Sequence, residues 1–514
     1  MIYGVMKIME ESRQRKFGAI LSYISIIVST LVQLLFTPFL ISKLGQSEYG
    51  LYSLISSIIG YLTVLDLGFG NAIIVHTAKY RAEGKYDEEK KLHGMFKRIF
   101  SIIGIIAALI GIILYFNVSN LFSSTMTSSE IEKAKIMMLI LSFNLFITFQ
   151  FSIYSSIISA YEKFIFQKIM AILNTLLKPL LMIPLLLFGY RSITMTIIIT
   201  AVNILVLLSN FFYCRKKLNI NTKYQGFDKK LFKVIFSYSI WIFLGVVVDK
   251  VNWSVDQFVL GSVVGTVAVS IYSAASTLNV LFINLSTAIS GVMLPKMSKM
   301  VAKNATDEEL TNEFIKVGRI QYLVTFLMAS GLVLFGKEFI NAWVGPEFEE
   351  SYYVALILIL PLCIPLIQNL GLSIIQAKNK FKFRTISMAV MSIFNIILSI
   401  FLAKKYGPIG SAIGTAISLI MVNVIIMNIY YYKVIKINVL KFWQQIIKMT
   451  IPYIIPIIII LFLNKILILN GYKYLLIYGS IYTLLYFVIA YLFSMNQYEK
   501  NLIKKITNRL KHTK

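Results

Sequence analysis

The chain has 514 residues, of which 58% are apolar and 14% charged, with a mean hydropathy of +0.76. An ordinary soluble domain is about 45–50% apolar and about 25% charged, so a soluble globular protein is excluded, and apolar runs near 20 residues recurring from end to end mark a polytopic membrane protein. A formal net charge of +27 would point to nucleic acid in a soluble chain, but no folded soluble module remains to hold a strand or duplex, and nucleic acid is excluded as a partner.

Residues 1–17 form a mixed, charged segment carrying Arg13, Arg15 and Lys16, with no apolar core and small-residue cleavage site of a removable signal peptide. Windows of about 17–25 residues then give fourteen predicted spans: 18–40, 50–75, 99–118, 136–160, 169–188, 193–213, 234–260, 267–294, 320–336, 353–375, 385–403, 409–430, 449–469 and 475–493. Span 1 places Ser22, Ser25, Ser29, Gln33 and Thr37 at three- and four-residue steps, a polar stripe expected to face the interior. Span 2 contains Asp66-Leu-Gly-Phe-Gly-Asn71, whose two glycines weaken a helix and permit local unwinding or close approach. Span 5 sets Asn174 and Lys178 one turn apart, followed by Pro179, and span 7 puts Asp249, Asn252 and Asp256 on one face with Lys250 and Trp253 alongside. Span 10 carries Pro361, Pro365, Gln368, Asn369 and Ser373, and residues 494–514 form a basic tail.

An even number of spans puts both termini on one side. With the termini cytoplasmic, the tails and loops of that side carry 39 Lys and Arg, the opposite loops carry 9 with Lys465 at the outer end of span 13 counted among them, and Lys178 and Lys250 lie inside spans. That asymmetry fixes the predicted orientation, and the same basic rim would attract anionic membrane lipids.

The chain also repeats itself. Gly45-Gln-Ser-Glu-Tyr-Gly-Leu-Tyr-Ser53 and Gly265-Thr-Val-Ala-Val-Ser-Ile-Tyr-Ser273 share Gly, Tyr and Ser at one spacing. Ala160-Tyr-Glu-Lys-Phe-Ile-Phe166 matches Ala377-Lys-Asn-Lys-Phe-Lys-Phe383, and the two offsets are 220 and 217 residues. Six spans separate the copies, so the halves run in the same direction, related by an axis along the membrane normal. The predicted fold is therefore all-α: an N-lobe (18–233), a C-lobe (234–448), an extra helix pair (449–493) and the basic tail.

Charges inside the membrane each cost on the order of 2.5–3.5 kcal/mol on insertion scales. Asp66, Lys178, Asp249, Lys250 and Asp256 therefore imply water or mutual pairing, either for function or to hold helices together. At 1.5 Å per residue, Asp66 falls about 24 Å from the outer start of span 2 and Asp249 about 22 Å from the inner start of span 7, near the midplane, which makes Asp249 the better coupling-ion candidate.

Other motifs are negative. Gly331-Leu-Val-Leu-Phe-Gly-Lys337 imitates a phosphate loop, but Glu338 stands where Ser or Thr must hold Mg²⁺. Cys214 and Cys363, with His76, His93 and His512, offer neither disulfide nor metal-ligand spacing, so no metal and no cofactor are expected. Hydrolytic and redox motifs are missing as well, and the longest outer loop is too short for sugar-transfer chemistry, so a transporter is expected rather than an enzyme.

Leu44-Gly-Gln-Ser-Glu-Tyr-Gly-Leu-Tyr-Ser53, Leu65-Asp-Leu-Gly-Phe-Gly-Asn71 and Thr77-Ala-Lys-Tyr-Arg81 together resemble the polysaccharide-repeat-unit flippases (O-antigen, Wzx/RfbX type) of the multidrug/oligosaccharidyl-lipid/polysaccharide exporter superfamily. The resemblance implies alternating access in a bacterial inner membrane, moving an undecaprenyl-pyrophosphate-linked oligosaccharide to the outer leaflet, with polysaccharide polymerase machinery as a further partner. It implies cations for the pyrophosphate, here Lys178 and Lys250 with the rim residues Arg13, Arg15, Lys16, Lys79 and Arg81. Asp66, Asp249 and Asp256 are candidates for proton or Na⁺ coupling or for gating, and Gln33, Asn71, Asn174, Asn252, Trp253, Gln368 and Asn369 for a sugar-facing cavity. This sequence departs from a cationic lumen, since its mid-membrane set of two Lys and three Asp is net negative. A lipid II flippase and an ion-coupled multidrug antiporter are the alternatives within the superfamily.

Overall fold

The computed structural model describes residues 2–290, 293–378, 380–466 and 471–511, and the secondary structure among them is entirely helical. They form two compact units, Met1–Ser273 and Ala274–Lys514.

The first unit contains α1 (Ile2–Leu44), α2 (Gln46–Leu62), α3 (Phe69–Ala82), α4 (Tyr86–Phe122), α5 (Ser128–Ala160), α6 (Phe164–Leu187), α7 (Ser192–Lys216), α8 (Lys229–Val263) and the first part of α9 (Thr266–Ser290). Helix starts follow local chemistry. Thr127 and Glu130 form a reciprocal capping box at α5, and the Asp228 carboxylate accepts the Leu231 N–H at α8. On α1 the apolar ridge Ile20, Ile24, Ile27, Leu31 and Leu35 is exposed, as a lipid-facing surface should be, while Ser22, Ser25, Ser29 and Gln33 are half-buried and Thr37 is buried. The predicted stripe thus faces inward. Helices α4 and α5 approach closely because small residues allow it: a Cβ on Gly111 would lie 2.0 Å from Ser142 Oγ.

The second unit contains the rest of α9, then α10 (Leu294–Ala302), α11 (Asp307–Val344), α12 (Glu349–Ile367), α13 (Asn369–Ala377), α14 (Lys382–Leu419), α15 (Met427–Tyr430), α16 (Val439–Thr450), α17 (Ile454–Ile466), α18 (Gly471–Ile489) and α19 (Gln497–Lys511). Tyr474, Tyr478, Tyr482 and Tyr486 line one buried face of α18. Their hydroxyls donate to the carbonyls of Leu334 (Tyr474), Leu463 (Tyr478) and Leu323 (Tyr486), and Tyr482 meets Ser330 Oγ at 2.5 Å. Each hydroxyl finds a partner without water, which the membrane interior demands, and the ladder fastens the last spans to α11. Arg319 of α11 adds a buried fork to Glu499 of α19, at 2.7 and 2.9 Å.

Twelve helical stretches among the described residues are long and apolar enough to cross a bilayer. One of them, Lys382–Ile435, runs for 54 residues through a kink at Gly407 (φ 57°), between predicted spans 11 and 12. Predicted span 7 lies on the 35-residue α8, which at 1.5 Å per residue is about 52 Å long and exceeds the hydrocarbon thickness. Fourteen crossings are compatible with this architecture, and the chain is a multi-pass membrane protein.

Candidate functional site

Span 2 is broken where the glycines stand. Helix α2 ends at Leu62, residues Thr63–Asp66 tighten into a 3₁₀ turn, Leu67 and Gly68 adopt φ of 53° and 71°, and α3 begins at Phe69. The Asp66 carboxylate lies against the start of α3, with Oδ2 3.7 Å from where a Gly70 Cβ would be. A Cβ on Gly70 would sit 3.2 Å from Ser156 Oγ, so the second glycine serves close approach to α5. Phe69 anchors the restart among Phe96, Phe100, Phe232 and Phe236, and Asn71 is exposed.

Asp256 is 1% exposed and accepts a hydrogen bond from Tyr272 at 2.5 Å, linking α8 to α9. Tyr61 of α2 lies within electrostatic reach of Asp256, and its buried hydroxyl has no hydrogen-bond partner among the described residues. Lys250 is half-buried on the same helix as Asp256, with its Nζ 3.9 Å from where a Gly60 Cβ would be. Asp256, Lys250, Tyr61 and Tyr272 therefore form a polar seam between α2 and α8–α9. Asn252 is half-buried, and the side chains of Asp249 and Trp253 lie outside the described residues. Lys178 is half-buried on α6, pairs with no carboxylate among the described residues, and stands one turn after Asn174, whose buried Oδ1 has no partner among them.

At the Gly45 end of the unit the two copies of the nine-residue repeat touch. A Cβ on Gly50 would overlap the Thr266 carbonyl oxygen at 1.8 Å, so only glycine permits the contact. Glu130 Oε1 accepts hydrogen bonds from Ser47 at 2.5 Å and Thr266 at 2.7 Å, and Thr125 donates to the Gly261 carbonyl at 2.7 Å. Beside this bridge the buried Glu48 carboxylate accepts the Ser192 N–H and hydroxyl and meets Lys133 at 3.3 Å and Arg191 at 3.4 Å. Sequence reasoning missed Glu130, Glu48, Tyr61 and Tyr272. The available signals were the Thr127-x-x-Glu130 capping spacing and the presence of Glu48 and Tyr272 inside the repeated motif.

Among the rim cations, Arg81, Lys79 and Arg13 each have a neighbour. Arg81 lies 3.6 Å over the Tyr161 ring, and Tyr161 donates to Glu89 at 2.8 Å. Lys79 is 3.9 Å from Glu83, whose hydrogen bond from Lys85 at 2.6 Å holds its carboxyl below the ordinary range and raises Lys85 in turn. Arg13 is exposed and lies 5.7 Å over the Phe17 ring, and the side chains of Arg15 and Lys16 lie outside the described residues.

In the second unit span 10 is also broken, between α12 and α13 at Gln368, after Pro361 and Pro365. Gln368 is buried and clasps Asn428 amide to amide at 2.9 and 3.2 Å, and Trp443 donates to the same Asn428 oxygen at 3.0 Å. Gln368 and Asn369 line a cavity of about 50 Å³ together with Arg384 and Asn423. Gln33 of α1 is half-buried in the first unit.

Comparison with known proteins agrees with this architecture. The family described as polysaccharide biosynthesis protein matches residues 17–301. A candidate O-antigen transporter of Shigella flexneri is 23% identical over 414 residues, 78% of this chain and 94% of that protein. The capsular polysaccharide biosynthesis protein CapF of Staphylococcus aureus is 25% identical over 224 residues, 43% of this chain and 55% of that one. Among solved structures, the lipid II flippase MurJ in an inward closed conformation aligns with a TM-score of 0.74 at 21% identity, over 95% of this chain and 99% of that one. An inward-facing multidrug transporter of the MATE family and MOP superfamily aligns with 0.61 at 14% identity, over 79% and 96%. The structural likenesses establish the fold, and with more than half of its length matched this chain belongs to the polysaccharide biosynthesis protein family.

Proposed function

We propose that this chain is a flippase that moves an undecaprenyl-pyrophosphate-linked oligosaccharide repeat unit from the cytoplasmic to the outer leaflet of the bacterial inner membrane, by alternating access, for cell-surface polysaccharide. The observation that carries this reading is the set of polar groups held inside long apolar helices: Asp256 with Tyr272, Lys250 against Gly60, and Lys178 beside Asn174. Intramembrane ionisable groups are costly and are kept where a polar cargo or ion passes. A diphosphate bearing sugars cannot cross hydrocarbon unaided, and such groups supply partners as it is desolvated. Lys178 and Lys250 suit the pyrophosphate locally, and the rim cations suit its approach from a cytoplasmic face that also carries both termini. Asp256, roofed by Tyr272, suits gating, and Asp249 suits coupling to a proton or Na⁺ gradient. The Ser47–Glu130–Thr266 bridge fits a closed outer end. The relatives named above for O-antigen and capsular polysaccharide favour this cargo, and the polysaccharide polymerase is the expected downstream partner.

The test is deletion of the gene in its host, followed by determining the leaflet on which complete undecaprenyl-pyrophosphate repeat units accumulate. Accumulation on the cytoplasmic side with loss of surface polysaccharide is expected. Truncated units would indicate a glycosyltransferase instead, and an intact surface with a peptidoglycan or drug phenotype would move the assignment to a lipid II flippase or an antiporter.

A further inference from the structure

The two halves share a scaffold element that differs in charge. Phe166 stacks on Tyr213 with ring centroids 3.9 Å apart at 14°, and Phe383 stacks on Tyr430 at 4.3 Å and 13°. Both residues of the second pair lie 217 positions after those of the first, the offset of the Ala-x-x-Lys-Phe-x-Phe repeat. The residue after each phenylalanine is thereby equivalent. In the first half it is Gln167, whose amide donates to Ser159 Oγ at 2.8 Å. In the second half it is Arg384.

Arg384 lines the cavity at the broken span 10, with Gln368, Asn369, Asn423, Tyr431, Met427, Leu372 and Pro365. Asn423 belongs to a π-helical segment, Ile420–Ile426, so two irregular helices meet there. Irregular backbone at membrane depth is tolerated where it lines a polar space, and π-segments cluster at functional positions. Arg384 is half-buried, lies 5.6 Å over the Phe381 ring, and has no carboxylate within ion-pair distance among the described residues. Its neighbours Lys378 and Lys380 are committed: Lys378 bonds Asp307 and the Ile435 carbonyl, both at 3.0 Å, and Lys380 bonds the Val434 carbonyl at 3.2 Å. The cavity thus holds one guanidinium with no carboxylate partner among the described residues, beside the amides of Gln368, Asn369 and Asn423, with room for a few water-sized groups.

We propose that this pocket binds one oxyanion of the cargo, and that the oxyanion is the carboxylate of an acidic sugar. A guanidinium fork matches a carboxylate in bidentate fashion. One cation with neutral amides balances a single negative charge, whereas a diphosphate would leave at least one charge uncompensated in a desolvated site. The inference rests on the flippase reading and narrows its cargo to repeat units that carry a uronic acid.

The probes are glucuronate, glucose and inorganic pyrophosphate, titrated onto the full chain in neutral phosphatidylcholine nanodiscs, so that lipid phosphate is common to every arm. Glucuronate is expected to bind and glucose not to bind. Arg384→Gln should weaken glucuronate binding at least tenfold, and Arg384→Lys should retain part of it. If Arg384→Gln does not fold, Asn423→Ala provides the same comparison from the opposite wall. Pyrophosphate binding through Arg384 more tightly than glucuronate would overturn the carboxylate assignment, and no Arg384-dependent binding of either anion would overturn the site. In cells, loss of leaflet accumulation in the gene deletion would refute the flippase reading. Normal accumulation there, with wild-type export of acidic repeat units by Arg384→Gln, would refute the pocket alone.

Discussion

Glu130→Gln tests whether the closure at the Gly45 end is a latch. The carboxylate Oε1 receives hydroxyl bonds from Ser47 at 2.5 Å and Thr266 at 2.7 Å, while Oε2 receives the Thr127 N–H at 2.8 Å. Glutamine keeps the volume and satisfies the capping box as glutamate does, so α5 should start unchanged, and what is lost is the charge on the bridge. Hydrogen bonds to a charged group contribute about 1.5–3 kcal/mol each. Glu130 is only half-buried, so the lower figure applies, with one bond's worth lost rather than two. A loss of about 1.5 kcal/mol in the closed state moves the open-to-closed ratio roughly tenfold towards open. The measurement is the distance distribution between spin labels at Lys43→Cys and Val267→Cys, both exposed, with Cys214 and Cys363 replaced. A second, longer population should grow about tenfold in Glu130→Gln. An unchanged distribution, with α5 intact by circular dichroism, would show that the bridge does not hold the end shut.

The same label pair should report opening in Gly50→Ala, because the added Cβ would meet the Thr266 carbonyl at 1.8 Å. Overpacking of that kind costs about 1–3 kcal/mol, and a wild-type distribution would mean the contact is dispensable. Arg319→Ala strands the Glu499 carboxylate, which is 4% exposed, and should cost about 3–5 kcal/mol, read as a markedly lower melting temperature in detergent. A shift no larger than that of an exposed-lysine control would refute the assigned weight of that pair. Tyr272→Phe removes the hydroxyl donated to Asp256 and should cost about 1–3 kcal/mol in the state described here, detected as faster hydrogen exchange across the α8–α9 turn. Asp249→Asn is expected to cut repeat-unit flux severalfold at normal expression, and normal flux would remove Asp249 from the mechanism.

What could be read in the sequence was what depends on period and composition. Apolar runs locate helices because a bilayer leaves the backbone no other way to satisfy its polar groups. For the same reason the span 1 stripe faced inward, and the Asp66–Asn71 glycines marked a real break in span 2. Long-range partners were not legible. Asp256 was expected to meet water or another buried charge, and the donation it receives from the Tyr272 hydroxyl of the following helix was not foreseen. Gln368 lines a cavity as expected, but that both ends of its amide are taken by Asn428, 60 residues away, was not. The tyrosines of α18 carried no ionisable signal within the membrane, although their hydroxyls fasten that helix to α11 and α17. The repeat was the one long-range signal the sequence held, because duplicated helices inherit duplicated contacts. The Phe166–Tyr213 and Phe383–Tyr430 stacks are such an inherited contact. Once two halves share a scaffold, a charge present in only one of them is not required by that scaffold, and the Gln167 copy folds without an arginine. Lys378 and Lys382 also face uncharged residues in the first half, and of these three cations it is Arg384 that lines the cavity at the broken span 10, which composition and periodicity could not reveal.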